Sequence, residues 1–559
     1  MVDLEKGRSR WRTAYYASYA PNMDPSLATD ATAAIKDQRI HVEPQPPTPQ
    51  HQQLSNTNST NSPEASSTQV SSPLTPTRSQ RMRSELRRIT MHFTPSWFSV
   101  NMGTGISAIL LHQLPYQFNG LGIISNVIFG FNVLLFLLFL AISVARYLIW
   151  PQLFWIMLFH PTQSLFLGTF AMGMTTIITM CAISLAPAWG QGFVYFTWAF
   201  WWFNAALSLA ICIGLPFIQF TRHVQSLDRI TAVWFLPVVT TIVCSATGGL
   251  VADLLPAAHA KLTLIVCWVL WGTGFGMAFL LMSLYYGRQA IHKIPPAQLI
   301  VSTFLPLGPC GQGAFALLQF ASVLYKLSLS DGVALPSPDV TSAETARIMA
   351  TAIYAVSVPV ALVIWGLGLV WLLLAVSSLV DLWLVSELTF NLGWWGFTFP
   401  LGVFATAAIK FGSVLDSGAF RVLGTVLALI EVMLWMFIFS MTMKKALRGD
   451  IFFSPCLAEM CDEQGEPPKY VPPARKYTFE PRPIAVGSFG GGEEQDGGDG
   501  EDGEDGEEGW RSRSRMRTGR MGRAEASVTR VAKKLIGVTP SRSPFRQERT
   551  RERSSQRSP

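Results

Sequence analysis

The feature that most constrains this chain is the stretch from Pro95 to Met443, where charges are few and separated by long apolar gaps. Ten apolar segments follow one another there, at about 96–112, 121–145, 163–185, 193–217, 232–254, 262–284, 298–325, 346–377, 393–413 and 419–442. Most reach the roughly 20 residues a helix needs to cross the hydrocarbon core. Lipid offers the backbone no hydrogen-bond partner, so a spanning segment must be a helix or part of a closed barrel. Unbroken runs of this length point to helices. The expected fold is an all-α integral membrane protein of ten transmembrane helices with a soluble tail on either side. Charged residues make up only 14% of the 559, against about 25% in ordinary globular domains.

The expected organisation is a disordered cytosolic tail over 1–88, a membrane domain over 89–445 and a disordered, charged cytosolic tail over 446–559. Residues 1 to about 85 are rich in Pro, Ser, Thr, Gln and Asn, too polar to bury enough surface to offset chain entropy. The C-terminal tail runs from "GGGEEQDGGDGEDGEDGEEG" into "WRSRSRMRTGRMGR", opposite charge blocks with abundant glycine. The polar, charged N-terminus argues against a cleavable signal peptide. With both ends cytosolic, inside loops carry Arg146, Arg222, Arg229, Arg288 and Lys293. Basic clusters then flank the spans at Arg81, Arg83, Arg87 and Arg88 and at Lys444, Lys445 and Arg448. That is the positive-inside pattern. It accounts for much of the net charge of +7 without nucleic acid, since no basic fold with stacking aromatics appears.

Seven cysteines show no CxxC spacing, so neither a metal site nor a disulfide framework is expected. Within the spans there are no paired histidines and no nucleophile elbow, and the chain has no GxxxxGK[ST] loop. An enzyme is not expected, nor any cofactor.

The segments alternate in character. The second, "NVIFGFNVLLFLLFLAISVA", and the fourth, "FVYFTWAFWWFNAALSLAICIGL", are bulky and smooth. The odd ones carry small, polar or helix-breaking residues: "NMGTGIS" (101–107), "LGTFAMGM" (167–174), "FLPVVTTIVCSATGG" (235–249), "FLPLGPCGQGAF" (304–315) and "WWGFTFPLG" (394–402). The spacing is regular: 67 residues from Gly103 to Phe170, 67 to Pro237, 69 to Pro306, then 94 to Pro400. A helical hairpin repeated five times, one kinked helix and one plain helix in each, explains it.

Irregular backbone at membrane depth is tolerated only where it is buried in protein or lines an aqueous cavity. Five kinked helices around a central pore, with five smooth ones outside, satisfy that rule. Close helix packing through small residues is the alternative; it suits Gly103 and Gly105 better than Pro237, Pro306, Pro309 and Pro400. The residues placed at the pore or at helix breaks are Gly103, Thr104, Gly105, Thr169, Phe170, Pro237, Thr240, Pro306, Gly308, Pro309, Gln312, Thr398 and Pro400. No acidic residue sits at pore depth on these segments, whereas cation paths commonly show acidic rings or carbonyl filters. Hydroxyls, amides and helix N-termini suit a small anion. Glu431, in "LALIEVMLWMF", is an intramembrane acid and so a functional candidate. Its place on an outer helix favours a structural pairing or a subunit contact over proton coupling.

The runs "FTPSWFSVNMGTGI" (93–106), "HPTQSLFLGTFAMGMTTII" (160–178), "TAVWFLPVVTTIVCSATGG" (231–249), "LPLGPCGQGAF" (305–315) and "WWGFTFPLG" (394–402) resemble the fungal sulfite efflux pumps. These belong with the tellurite-resistance and dicarboxylate transporters, the fungal malate permeases and the plant slow anion channels. The resemblance covers about 90–445 and neither tail. It implies five hairpins around a pore, a homotrimer in the plasma membrane and a phenylalanine on the ninth helix that plugs the pore. Phe399 best fits that plug, with Phe397 the alternative. The implied function is export of sulfite or bisulfite. A malate or C4-dicarboxylate permease of the same fold is the alternative. From another class, a membrane receptor or sensor signalling through the C-terminal tail remains open.

Overall fold

The computed structural model describes residues 78–223, 225–335, 342–386, 388–454 and 457. Of the tails expected to be disordered, residues 1–77, 455–456 and 458–559 lie outside the described residues. Among the described residues every regular element is helical, and nine helices are long and apolar enough to cross a membrane.

The chain enters through α1 (Arg78–Met91), then α2 (Phe98–Gln113), α3 (Leu121–Ile149), α4 (Gln152–Phe159), α5 (Leu167–Met180), α6 (Ala186–Trp189) and α7 (Gln191–Arg222). It continues through α8 (Phe235–Ala252), α9 (Ala257–His292), α10 (Leu307–Ser330), α11 (Ala343–Val385), α12 (Thr398–Val414) and α13 (Gly418–Arg448). Helix α1 corrects the expectation that residues 78–88 are disordered. It packs on α3, pairs Arg88 with Glu85 one turn away and sets Arg87 over the Trp150 ring at 5.7 Å.

Five helices share a distinctive beginning. A 3-10 turn runs directly into α2 (Pro95–Trp97), α5 (Ser164–Phe166) and α8 (Ala232–Trp234), and the turns Ile300–Phe304 and Leu392–Gly396 lead into α10 and α12. Their prolines gather at these starts. Pro237 and Pro400 are third in α8 and α12, Pro306 caps α10 and Pro309 is third within it. First-turn amides have no acceptor within the helix, so proline there forfeits nothing. Each break therefore consists of a 3-10 turn followed by an α-helix whose cap or first turn carries the proline. The prolines inside helices are Pro216 in α7 and Pro359 in α11, two segments that read as smooth. A five-residue π-helical stretch, Cys181–Leu185, extends α5.

Burial separates two classes of span. The four beginning at Ser164, Ala232, Ile300 and Leu392 are 72–94% buried, and the other five 22–44%. Helix α2, not among the nine, is buried throughout from Phe98 to Leu111. The five buried helices contact one another in a closed cycle: α2 on α5, α5 on α8, α8 on α10, α10 on α12, and α12 back on α2. The exposed helices α3, α7, α9, α11 and α13 pack outside them, on α2, α5 and α8, α8, α10 and α12 respectively.

After α13, Gly449 takes a left-handed conformation (φ 80°) and turns the chain back under the bundle. Phe452 stacks on Trp97 at 5.0 Å, and Leu457 is buried with Trp150, Leu153 and Ile156. The Ser454 amide donates to His92 Nδ1 at 3.2 Å. Burial, and then Arg88 and Arg146, hold the His92 ring below its ordinary pKa of 6.5, which keeps that nitrogen free to accept. A truncation after residue 457 keeps all of these contacts. Truncation after 445 should cost about 2–4 kcal/mol, from one lost leucine burial and one aromatic stack. Fluorescence-detected melting of the two proteins in detergent checks the difference.

Candidate functional site

Three cavities lie along the cycle of buried helices. A chamber of about 560 Å3 opens at their N-terminal ends, with Ser99, Thr169, Leu236, Ser302 and Gly396 in its wall, one from the start of each helix. A chamber of about 330 Å3 lies at their C-terminal ends, lined by Gln113, Asp253, Lys326 and Lys410 among others. A slot of about 20 Å3 adjoins the second chamber and shares Gln113, Leu250, Phe315 and Thr406 with it.

Each buried helix presents one stripe to these spaces. On α2 it is Ser99, Met102, Ile106, Ile109 and Gln113; on α5, Thr169, Thr175, Thr176 and Thr179; on α8, Leu236, Val243, Thr247, Leu250 and Asp253. On α10 and the turn before it, the stripe is Leu305, Gln312, Phe315, Gln319, Ser322 and Lys326; on α12, Gly396, Phe399, Val403, Thr406, Lys410 and Ser413. Steps of three and four keep a stripe on one face of a helix.

The N-terminal chamber and the slot share no lining residue. Between them, by the same helical spacing, fall Met172, Val239 and Gly308, with Phe399 at the edge of the slot. Phe399 is 3% exposed. A side-chain carbon built on Gly308 would touch only Val239, at 3.8 Å. The separating layer is apolar. Such a layer blocks an ion by excluding its hydration water.

The residues singled out from sequence divide into two groups. Thr169, Gln312 and Phe399 line the cavities, and Gly308 falls on a lining stripe. The others stand between helices. Thr104 accepts from Trp435 Nε1 at 3.1 Å. Thr240 donates to Pro237 O at 2.6 Å and Ser208 O at 3.2 Å. Thr398 donates to Trp395 O at 3.0 Å. Phe170 packs on Phe98 and Phe136, and Phe397 packs on Phe304 at 4.8 Å and on Trp394. Gly103 faces Trp395 and Thr398 across α12, and Gly105 faces Thr176 on α5, each with no room for a side chain. Pro237, Pro306, Pro309 and Pro400 shape helix starts. Sequence reasoning missed Thr175, Thr176, Thr179, Thr247, Thr406, Lys410 and Gln319 as lining residues. Register was the signal available for some of them: Gln319 with Gln312, Thr406 and Lys410 with Phe399, and Thr176 with Thr169.

Glu431 lines none of the three cavities. It is fully buried on α13, with Ser107 Oγ 3.0 and 3.2 Å from its two oxygens. Ser107 Oγ is also 2.8 Å from Gly103 O and has one hydrogen for these acceptors. The contact ties α13 to α2. Glu431→Gln brings its own N–H donors at the same size, so stability should hold within about 1 kcal/mol. Glu431→Ala should cost about 2–4 kcal/mol through the cavity and the lost bond. Melting temperatures of the two variants check it.

Residues 92–443 match the family model described as a voltage-dependent anion channel. The sulfite efflux pump SSU1 of Arthroderma benhamiae is 43% identical over 65% of this chain and 92% of its own length. The sulfite efflux pump SSU1 of Saccharomyces cerevisiae is 24% identical over 60% of this chain and 84% of its own. The malic acid transport protein of Schizosaccharomyces pombe is 26% identical over 70% of this chain and 86% of its own.

Proposed function

The chain belongs to the voltage-dependent anion channel family, and from that premise we propose that it exports sulfite or bisulfite across the plasma membrane. Ten transmembrane helices, paired as five hairpins, surround a central pore that Phe399 closes. In this assignment α2 is the first span, α2, α5, α8, α10 and α12 ring the pore, and the other long helices face lipid or neighbouring subunits of a homotrimer. The membrane domain is taken as 89–445, between cytosolic tails 1–88 and 446–559.

The observation that carries the proposal is the closed cycle of five helices, each turning one stripe toward two chambers that share no lining residue. With both termini in the cytosol, the N-terminal chamber is the entrance and the C-terminal chamber the exit. An inside-negative potential then drives an anion outward by about 2.3 kcal/mol per charge per 100 mV. No nucleotide hydrolysis is needed. Sulfite is preferred to malate because the 43% identical relative is a sulfite efflux pump, whereas the malic acid transport protein is 26% identical.

Expression in a sulfite-sensitive yeast tests the substrate. Restored sulfite tolerance and faster sulfite release, without malate uptake, are expected. Malate uptake without sulfite protection, at verified surface expression, would move the protein to the dicarboxylate branch.

A further inference from the structure

The C-terminal chamber contains three charged side chains, Lys326, Lys410 and Asp253. Two of them cancel: Lys326 Nζ lies 2.7 Å from Asp253 Oδ1. Lys410 forms no contact ion pair among the described residues, although the Asp253 carboxylate also acts on it through space. Its Nζ donates to Gln319 Oε1 at 2.8 Å, and Gln319 Nε2 donates in turn to Gly249 O at 3.4 Å. A neutral amide, held from α8, thus positions the ammonium without neutralising it. An ammonium has three N–H donors, so two remain after Gln319.

The hydroxyls nearby are partly committed. Ser322 donates to Leu318 O at 2.6 Å and Thr406 to Gly402 O at 2.8 Å. Gln113 and Ser413 also line the chamber and add an amide and a hydroxyl. At about 330 Å3 the space takes a small oxyanion together with water. Two lysines and one aspartate give it a formal charge of +1.

We propose that this chamber is a binding site for one small oxyanion of single negative charge, seated on Lys410. Asp253 sets the charge preference by occupying Lys326. The inference deepens the transport assignment above and rests on it for its biological meaning, but anion binding is measurable without transport. Lys410 is a binding residue here, Gln319 a positioning residue and Asp253 a specificity residue.

The test uses purified full-length protein in detergent at constant ionic strength, with thermal stabilisation as the readout. A ligand that binds the folded state raises the melting temperature according to its concentration over Kd. Nitrate serves as the monovalent probe and sulfate as the divalent one. Wild type should be stabilised by nitrate at lower concentration than by sulfate. Lys410→Gln should raise the apparent nitrate Kd about tenfold, the order expected for one charge at contact in partly hydrated surroundings. Lys410→Arg should retain most of the affinity. Asp253→Asn should shift the preference toward sulfate by releasing Lys326. Unchanged nitrate stabilisation in a folded Lys410→Gln protein would overturn the site, and an unaltered nitrate-to-sulfate ratio in Asp253→Asn would overturn the charge rule. If nitrate binds through Lys410 but no sulfite export is found in cells, the site stands and the sulfite assignment fails.

Discussion

Phe399→Ala is expected to raise anion conductance by about tenfold or more, equivalent to removing at least about 1.4 kcal/mol from the barrier. The ring borders the slot at the level where the two chambers fail to meet. Its neighbours along the stripes, Met172, Val239 and Gly308, offer an anion no donor. Removing the ring lets water, and then the ion, through an otherwise apolar layer. The substitution also removes a buried aromatic, which costs about 3–5 kcal/mol in a packed core, so conductance is read per correctly targeted protein. Phe397→Ala is the matched control. That ring packs on Phe304 and Trp394, so its loss should weaken the fold without opening the path. Patch recordings of both variants, normalised to surface protein, separate the roles. Conductance raised by Phe397→Ala and not by Phe399→Ala would reverse the assignment.

Gly311→Val is expected to abolish the folded protein in the membrane. A side-chain carbon at Gly311 would come within 2.6 Å of the Cα and N of Phe404, and within 2.8 Å of the Val403 carbonyl carbon. Those atoms are backbone, so no rotamer change relieves the clash. The contact lies where α10 meets α12, one link of the closed cycle. Overpacking usually costs about 1–3 kcal/mol, and more where the neighbour cannot move. Gly308→Ala is the contrast. Its added carbon meets only Val239 at ordinary contact distance, so it should fold normally and lower flux by narrowing the path. Size-exclusion profiles of the two proteins should show loss of the monodisperse species for Gly311→Val alone.

Much of the architecture was legible because lipid imposes simple rules. Long apolar runs marked the spans, and the alternation of small or broken segments with bulky ones marked which are buried. The form of the breaks was not legible. The prolines cap or open α-helices that follow 3-10 turns, and a hydropathy run does not reveal where one gives way to the other. Pro216 and Pro359 show the converse, since a helix interior can absorb a proline in a run that looks uniform. The lining was the least legible part. Threonine content alone misleads, because a threonine hydroxyl can bond the carbonyl three or four residues back on its own helix. Thr240 and Thr398 do so, and so does Thr406, yet only Thr406 of these lines a cavity. Phase along each residue's own helix distinguishes them, as Thr406 is in phase with Phe399 and Thr398 is not; composition does not.

The measurement that bears most directly on the central claim is sulfite efflux from proteoliposomes containing the full-length protein, under an imposed potential and, separately, an imposed pH gradient. A potential-driven anion pore predicts efflux that rises as the interior is made negative and that persists when the pH gradient is collapsed. Efflux that follows the pH gradient and ignores the potential, or no efflux from correctly inserted protein, would contradict it.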